Sequence, residues 1–250
     1  MNREEKIIEI ISKKNKVEVN ELAEVLSVSK VTIRKDLDKL EERGIVTRQH
    51  GFAVINNQND INFRLTQNYN LKRRIAKKAA EIVQDGETVL IESGSTCALL
   101  AEELALTKKD ITIITNSAFI ASYIRKADNV KIILLGGEYQ KDSQVNVGPL
   151  VKKVVSSFSV DKLFVGIDGF DFELGFMAAD LMRSEAARYL KKSANRTIIL
   201  TDSSKFERKS FVTEFDIDEV SVVYTDNKIG KEVHDFLTNK NVKVETVNNS

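Results

Sequence analysis

Lys30, Thr32, Arg34 and Lys35 fall within a few residues of one another, directly after Ser29. On a helix, that set supplies what duplex DNA asks of a protein: donors for base edges and cations for phosphate. A second set has a different chemistry. Ser93-Gly94-Ser95-Thr96 combines small hydroxyls with a glycine, so that backbone amides can face an anion, and Lys72 or Arg73 together with Lys205 can neutralise it. Asn116-Ser117, Gly136-Gly137 and Asp168-Gly169 each follow a strand-like run, and Asp168, Asp180, Arg183 and Glu185 can bind hydroxyls. The two sets predict a nucleic-acid interface and a site for a phosphorylated polar ligand.

The first set needs a helix to carry it. Leu22, Val25 and Leu26 recur at helical spacing before Ser27-Val28-Ser29, and Val31, Ile33, Leu37 and Leu40 give the following segment an apolar side. Ser29 is a helix N-cap by type, and Gly44 is a stop just past Arg43. An earlier helical segment holds Lys6, Ile7, Ile10 and Ile11, while Ile45 to Arg48 and Gly51 to Val54 read as a small β-hairpin. Three helices and a hairpin make a winged helix-turn-helix, whose wing would bring Arg48 and His50 to the sugar-phosphate backbone. The bland alternative is a helical hairpin with a solvated charged face.

Bulk charge does not supply the attraction. The chain carries 38 Lys plus Arg against 37 Asp plus Glu, a net charge of +1. Between residues 29 and 51 the cations are Lys30, Arg34, Lys35, Lys39, Arg43 and Arg48, opposed by Asp36, Asp38, Glu41 and Glu42. Placement must therefore do the work, and a homo-oligomer presenting two such helices to two half-sites, as a dimer or tetramer, is the expected arrangement.

The second set needs a sheet. From residue 71 the chain alternates helical stretches with apolar runs at 88–91, 111–115, 131–135, 162–167, 196–201 and 220–225, and 242–247 adds an edge strand. Such alternation predicts an α/β domain with a largely parallel sheet, and the polar residues after each run would share its carboxyl edge. Singly, each element has a plainer reading: glycines for tight turns, the run Lys72 to Lys78 as a solvated face, Cys97 as a small buried residue.

The polar stretch from Ile55 to Asp60 marks a boundary. The predicted organisation is a winged helix-turn-helix over 1–56 with its helix pair at 20–39, a linker over 57–70, and an α/β sensing and oligomerisation domain over 71–250. One cysteine excludes an internal disulfide, and two distant histidines supply no metal cluster, so neither metal nor cofactor is expected. No apolar run is long enough for a membrane span and the N-terminus is charged, which predicts a cytoplasmic protein that does not engage membranes.

Val28 to Leu37, Arg48-Gln49-His50-Gly51, Ser93 to Thr96, Thr115-Asn116-Ser117, Leu135 to Tyr139, Val147-Gly148-Pro149, Asp168 to Asp171 and Asp202 to Phe206 resemble the signature of the DeoR family of bacterial sugar-operon repressors. The resemblance spans nearly the whole chain. It implies a C-terminal domain that resembles ribose-5-phosphate isomerase and senses a phosphorylated sugar, with Ser93 to Thr96 as phosphate cradle, Lys72 as helper, and Asp168 and Lys205 facing the sugar. Two positions depart from the family pattern. Gly51-Phe52 stands where many members carry a glycine pair, and Cys97 stands in the family's Thr-rich loop. Gly175 to Glu185 is more similar to the members serving hexitol operons, which implies a polyol or ketose phosphate.

These readings converge on a transcriptional repressor of a sugar or polyol operon, not an enzyme, whose partners are double-stranded operator DNA and a phosphorylated effector. The rival is a sugar-phosphate isomerase with a fused DNA-binding arm, using Asp168 or Glu185 as base.

Overall fold

A computed structural model of the chain describes residues 3–42, 45–49, 51–54 and 60–249, which fall into two compact units, Met1–Asn70 and Leu71–Ser250. In the first unit α1 (Arg3–Lys14) leads through β1 (Lys16–Glu18) to α2 (Val19–Val25) and α3 (Lys30–Glu42). The hairpin of β2 (Thr47–Gln49) and β3 (Phe52–Val54) follows, then α4 (Ile61–Thr66). Ile7, Ile8 and Ile11 of α1, Leu22 of α2, and Ile33, Leu37 and Leu40 of α3 share a fully buried core with Ala53 of the hairpin. The three strands form an antiparallel sheet in the order β1-β3-β2, so a third strand backs the expected wing.

Two apolar residues of the predicted helical stripes are instead on the surface: Val25 is 59% and Val31 61% exposed, while Leu22, Ile33 and Leu37 are fully buried. The stretch read as a linker also contains structure. Asp60 caps α4 by accepting from the Asn62 amide at 2.7 Å, and Ile61 and Leu65, one turn apart, are buried where α4 packs on α1. The Gly44 stop, His50 and residues 55–59 lie outside the described residues.

The unit boundary falls inside α5 (Tyr69–Ala80). The second unit continues with β4 (Thr88–Ile91), α6 (Ser95–Thr107), β5 (Ile111–Thr115), α7 (Ala118–Tyr123) and β6 (Val130–Leu134). A small hairpin, β7 (Glu138–Gln140) and β8 (Val145–Val147), precedes α8 (Pro149–Val155) and β9 (Val160–Val165). After β10 (Gly169–Asp171) and β11 (Gly175–Ala178) come α9 (Leu181–Lys191), β12 (Ala194–Leu200), β13 (Val212–Phe215), β14 (Val222–Asp226), α10 (Lys231–Asn239) and β15 (Lys243–Val247).

Seven of these strands form one all-parallel sheet, ordered β15-β14-β12-β9-β4-β5-β6. This is the α/β class that the alternation predicts, and the central strands carry short apolar runs, Val89–Ile91, Leu163–Val165 and Ile198–Leu200, that are buried throughout. From β4 the chain builds the sheet towards β6, and from β9 it builds the other way. The strand order therefore reverses between β4 and β9, and in open parallel sheets such a reversal is where the loops after two neighbouring strands diverge and ligands bind. A smaller antiparallel sheet, β10-β11-β13, follows β9 in the chain, and its Phe170 and Phe176 pack with Phe206 and Phe215 in one of the buried clusters.

Candidate nucleic-acid interface and effector site

In the first unit, Ser29 starts α3 as its sequence suggests: its hydroxyl accepts from the Thr32 amide at 3.2 Å and pairs with the Thr32 hydroxyl at 2.9 Å. Lys30, Arg34 and Lys35 are exposed, and among the described residues none of the three is in an ion pair. The nearby acids are occupied elsewhere. Asp36 is buried and held by two prongs of Arg3, at 2.5 and 3.2 Å, and Asp38 and Glu41 both bind Arg48. The near-balance of charge in the sequence thus resolves in space, with Asp36 buried, Asp38 and Glu41 turned to Arg48, and Lys30, Arg34 and Lys35 left exposed.

Arg48 is not free to reach outward in this arrangement. Its amide and Nε both donate to Glu41, at 2.9 and 3.0 Å, and its guanidinium meets Asp38 at 2.6 Å. The same contacts, led by the Arg48 amide, hold the Glu41 carboxyl below the usual carboxylate range. Phe52, which stands where a second wing glycine was expected, carries the Lys16 ammonium 4.2 Å from its ring centre. Val19, Arg34, Glu41, Arg48, Gly51 and Phe52 line a recess between α3 and the wing. Sequence reasoning missed Val31, whose exposure among Lys30, Arg34 and Lys35 suits contact with a thymine methyl.

In the second unit, parallel pairing puts the residues after β4, β5, β6, β9 and β12 on one edge of the sheet. At the reversal, the Glu92 amide donates to the Phe164 carbonyl at 2.9 Å, which ties the loop carrying Ser93 to the strand leading to Asp168. Gly94 has φ +110, a conformation only glycine takes easily, and a side chain there would project into open space. It frees the amides that begin α6, and Ser93 and Thr96 are buried beside it while Ser95 is half-buried. Ser93 Oγ donates to the buried Glu92 at 2.6 Å. Cys97, fully buried one position beyond, has its thiol pushed well above the ordinary value by burial and by Glu92 and Glu214.

Asn116 is fully buried. Its Nδ2 donates to the Asn146 carbonyl at 3.0 Å, yet its Oδ1 finds no hydrogen-bond donor among the described residues. Asp168 Oδ2 accepts from the Ala179 amide at 3.0 Å and lies 3.6 Å from Arg183. Lys72 is only 7% exposed, which a lysine tolerates when acceptors surround it, and this distinguishes it from the solvated Lys77 on the same helix. Lys205 is half-buried in the 3-10 turn Ser203–Glu207 that follows β12.

Other members of the expected set have structural tasks. Ser117 caps α7 through the Ile120 amide, and Asp180 caps α9 through the Arg183 amide while accepting from Gln140. Gly136 is exposed. Gly137 and Gly169 are required by close packing, since a side chain would meet the Val147 carbonyl at 2.5 Å or the Arg208 carbonyl at 2.7 Å. Glu185 accepts from Tyr189 at 2.6 Å and stands about 200° around α9 from Arg183, away from Asp168. Sequence reasoning also missed Glu214, a buried carboxyl on β13 whose charged neighbours are Glu92, Asp168, Arg183 and Arg188. Among the described residues no group of three or more His, Cys, Asp or Glu is placed to hold a metal, and no helix is long and apolar enough to cross a membrane.

Comparison with known proteins gives matches over both units. The family model for the DeoR-like helix-turn-helix domain matches residues 3–59, and that for the DeoR C terminal sensor domain matches residues 67–227. The chain is 32% identical over 236 residues to the HTH-type transcriptional regulator GolR of Listeria innocua, covering 93% of this chain and 92% of that one. It is 30% identical to the glycerol-3-phosphate regulon repressor of Escherichia coli K12, over 96% of each chain. Among solved structures, ribose 5-phosphate isomerase A from Neisseria gonorrhoeae aligns at a TM-score of 0.41 and 20% identity, over 54% of this chain and 52% of that one.

Proposed function

The chain belongs to the DeoR family of helix-turn-helix transcriptional regulators, and on that premise we propose that it represses a sugar or polyol operon under the control of a phosphorylated effector. It is a regulator and not an enzyme, as its relatives' names are those of regulators. In this reading α3 enters the major groove: Lys30, Thr32 and Arg34 address base edges, Val31 a thymine methyl, and Ser29 and Lys35 the phosphates. Arg48 acts at one remove by fixing the wing against α3.

The effector's phosphate sits on the amides of Ser93 to Thr96 at the α6 N-terminus, with Lys72 and Lys205 as counter-charges. Asn116, Asp168 and Arg183 take hydroxyls. The observation that carries the proposal is the pairing, within one chain, of three outward cations on α3 with a polar crevice at the β4–β9 reversal. A homo-oligomer supplies the second helix for the second half-site, and effector binding alters the spacing of the two helices. A coupling of about 1 to 3 kcal/mol changes operator affinity roughly 5- to 150-fold.

Electrophoretic shift titrations of the chain's own upstream DNA, with and without glucitol 6-phosphate, fructose 6-phosphate and glycerol 3-phosphate, test this. Operator affinity should change with at least one of them. A phosphorylated sugar that binds the protein and leaves that affinity untouched sinks the switch.

A further inference from the structure

Glu214 is 3% exposed, and its Oε2 finds no hydrogen-bond donor among the described residues. A buried acceptor oxygen without a donor is costly to the fold, because burial removes its water without supplying a hydrogen bond. The strand that holds it is irregular at this residue. Met177 pairs with Thr213 and Phe176 with Phe215, so Glu214 is the extra residue of a β-bulge between β11 and β13. Bulges re-aim side chains and gather beside binding sites. α9 grips the strand on either side of the bulge: Arg188 Nε donates to the Glu214 carbonyl at 3.0 Å, its Nη2 to the Thr213 carbonyl at 2.7 Å, and Ser184 to the same carbonyl at 3.3 Å.

The groups around this carboxyl come from the loops at the β4–β9 reversal and from α9. Glu92 follows β4 and is bonded by Ser93, Asp168 follows β9, and Arg183, which lies 3.6 Å from Asp168, comes from α9. An orphaned buried acceptor, a bulge that aims it, and neighbours drawn from both sides of the β4–β9 reversal coincide at one place. Asn116 Oδ1, also buried and without a donor, stands at the end of the next strand, β5.

We propose that Glu214 is a specificity-determining residue of the crevice, binding a hydroxyl of the phosphorylated sugar or polyol whose phosphate rests on Ser93 to Thr96. The inference rests on the effector site proposed above. Burial first, then the negative charges of Glu92 and Asp168, hold the Glu214 carboxyl well above the usual range, which favours the neutral acid. A neutral carboxyl both donates and accepts, so it meets a hydroxyl as a complete partner. It accepts a second anionic group poorly, with Glu92 and Asp168 close by.

The test is calorimetric titration of the full chain with glucitol 6-phosphate, fructose 6-phosphate, glycerol 3-phosphate and inorganic phosphate, for the wild type, Glu214→Gln and Glu214→Met. Glu214→Met should weaken binding of the sugar or polyol phosphate about tenfold or more while inorganic phosphate binds as before. Glu214→Gln, which keeps a donor and an acceptor, should stay within a few-fold of wild type. Thermal unfolding should place Glu214→Met at or above the wild type, because a buried oxygen without a donor has been removed. Sugar phosphates bound equally by wild type and Glu214→Met overturn the inference and leave the effector site standing. Equal loss of inorganic phosphate in both variants overturns it too, by making Glu214 a support of the phosphate loop. A wild type that binds none of the four probes removes the effector site, and this inference with it.

Discussion

Arg48 and Glu41 are joined twice, once through the Arg48 amide at 2.9 Å and once through its Nε at 3.0 Å, so the first strand of the wing is fastened to α3 at one carboxylate. Asp38 meets the same guanidinium at Nη2, at 2.6 Å.

This fastening separates Arg48 from Lys35 in their response to salt. Lys35→Ala should lower the slope of log affinity against log salt by about one unit per protomer bound, the mark of a lost phosphate contact. Arg48→Ala should leave the slope alone, weaken binding to all sequences alike, and cost about 0.2 to 1 kcal/mol of stability, as expected for a partly exposed pair. Fluorescence anisotropy at several salt concentrations distinguishes them. A full unit lost in Arg48→Ala means that the arginine leaves its acids for a phosphate.

The glycines of the sensor unit divide by what surrounds them. Gly169→Ala drives a methyl into the Arg208 carbonyl and the Ser210 amide, each 2.7 Å away, and should destabilise the unit by about 1 to 3 kcal/mol while the folded fraction binds ligand normally. Gly94→Ala meets no atom but needs φ +110, so the loop must shift. Its loss should appear in affinity for inorganic phosphate more than in melting temperature. Thermal unfolding beside calorimetry checks the pair, and the opposite assignment of losses contradicts the cradle.

Asp171 gives the fold an acid-sensitive point. The Lys209 ammonium, then the Leu174 and Glu173 amides, pull its carboxyl from 3.8 down to about 2. A carboxyl whose folded value is depressed stabilises the fold at neutral pH, and that contribution drains away as pH falls from about 4 towards 2. Asp171→Asn should therefore melt below wild type at pH 7, with the gap closing near pH 2. Melting curves across that range decide it, and a gap that persists unchanged in acid excludes the ionised carboxyl as its source.

The reach of sequence reasoning followed burial. Thr88 to Ile91 and Ile111 to Thr115 were legible because buried strands are rich in β-branched and apolar residues, and Ser29 because capping is a local matter. The three-residue strands β1, β7, β8 and β10 are too short for any period to show. Val25 and Val31 misled because helical spacing marks a stripe without saying how much of it the core needs. Glu214 was hidden for another reason. A glutamate between Thr213 and Phe215 reads as the solvent side of a strand, and only the bulge and the packing of α9 on β13 bury it. Likewise Glu185 has the right type beside Arg183, but the turn of the helix carries it to Tyr189.

The reversal between β4 and β9 also dictates an order of assembly. A ribosome delivers β4, β5 and β6 well before β9, and these three can pair as they emerge. Until β9 arrives, the free flank of β4 is an open sheet edge with its backbone groups unsatisfied, of the kind that recruits other chains. The seam at the strand reversal is thus an aggregation-prone line of the nascent protein. Chains shortened before Val160 should fail by sticking to one another before any question of regulation arises.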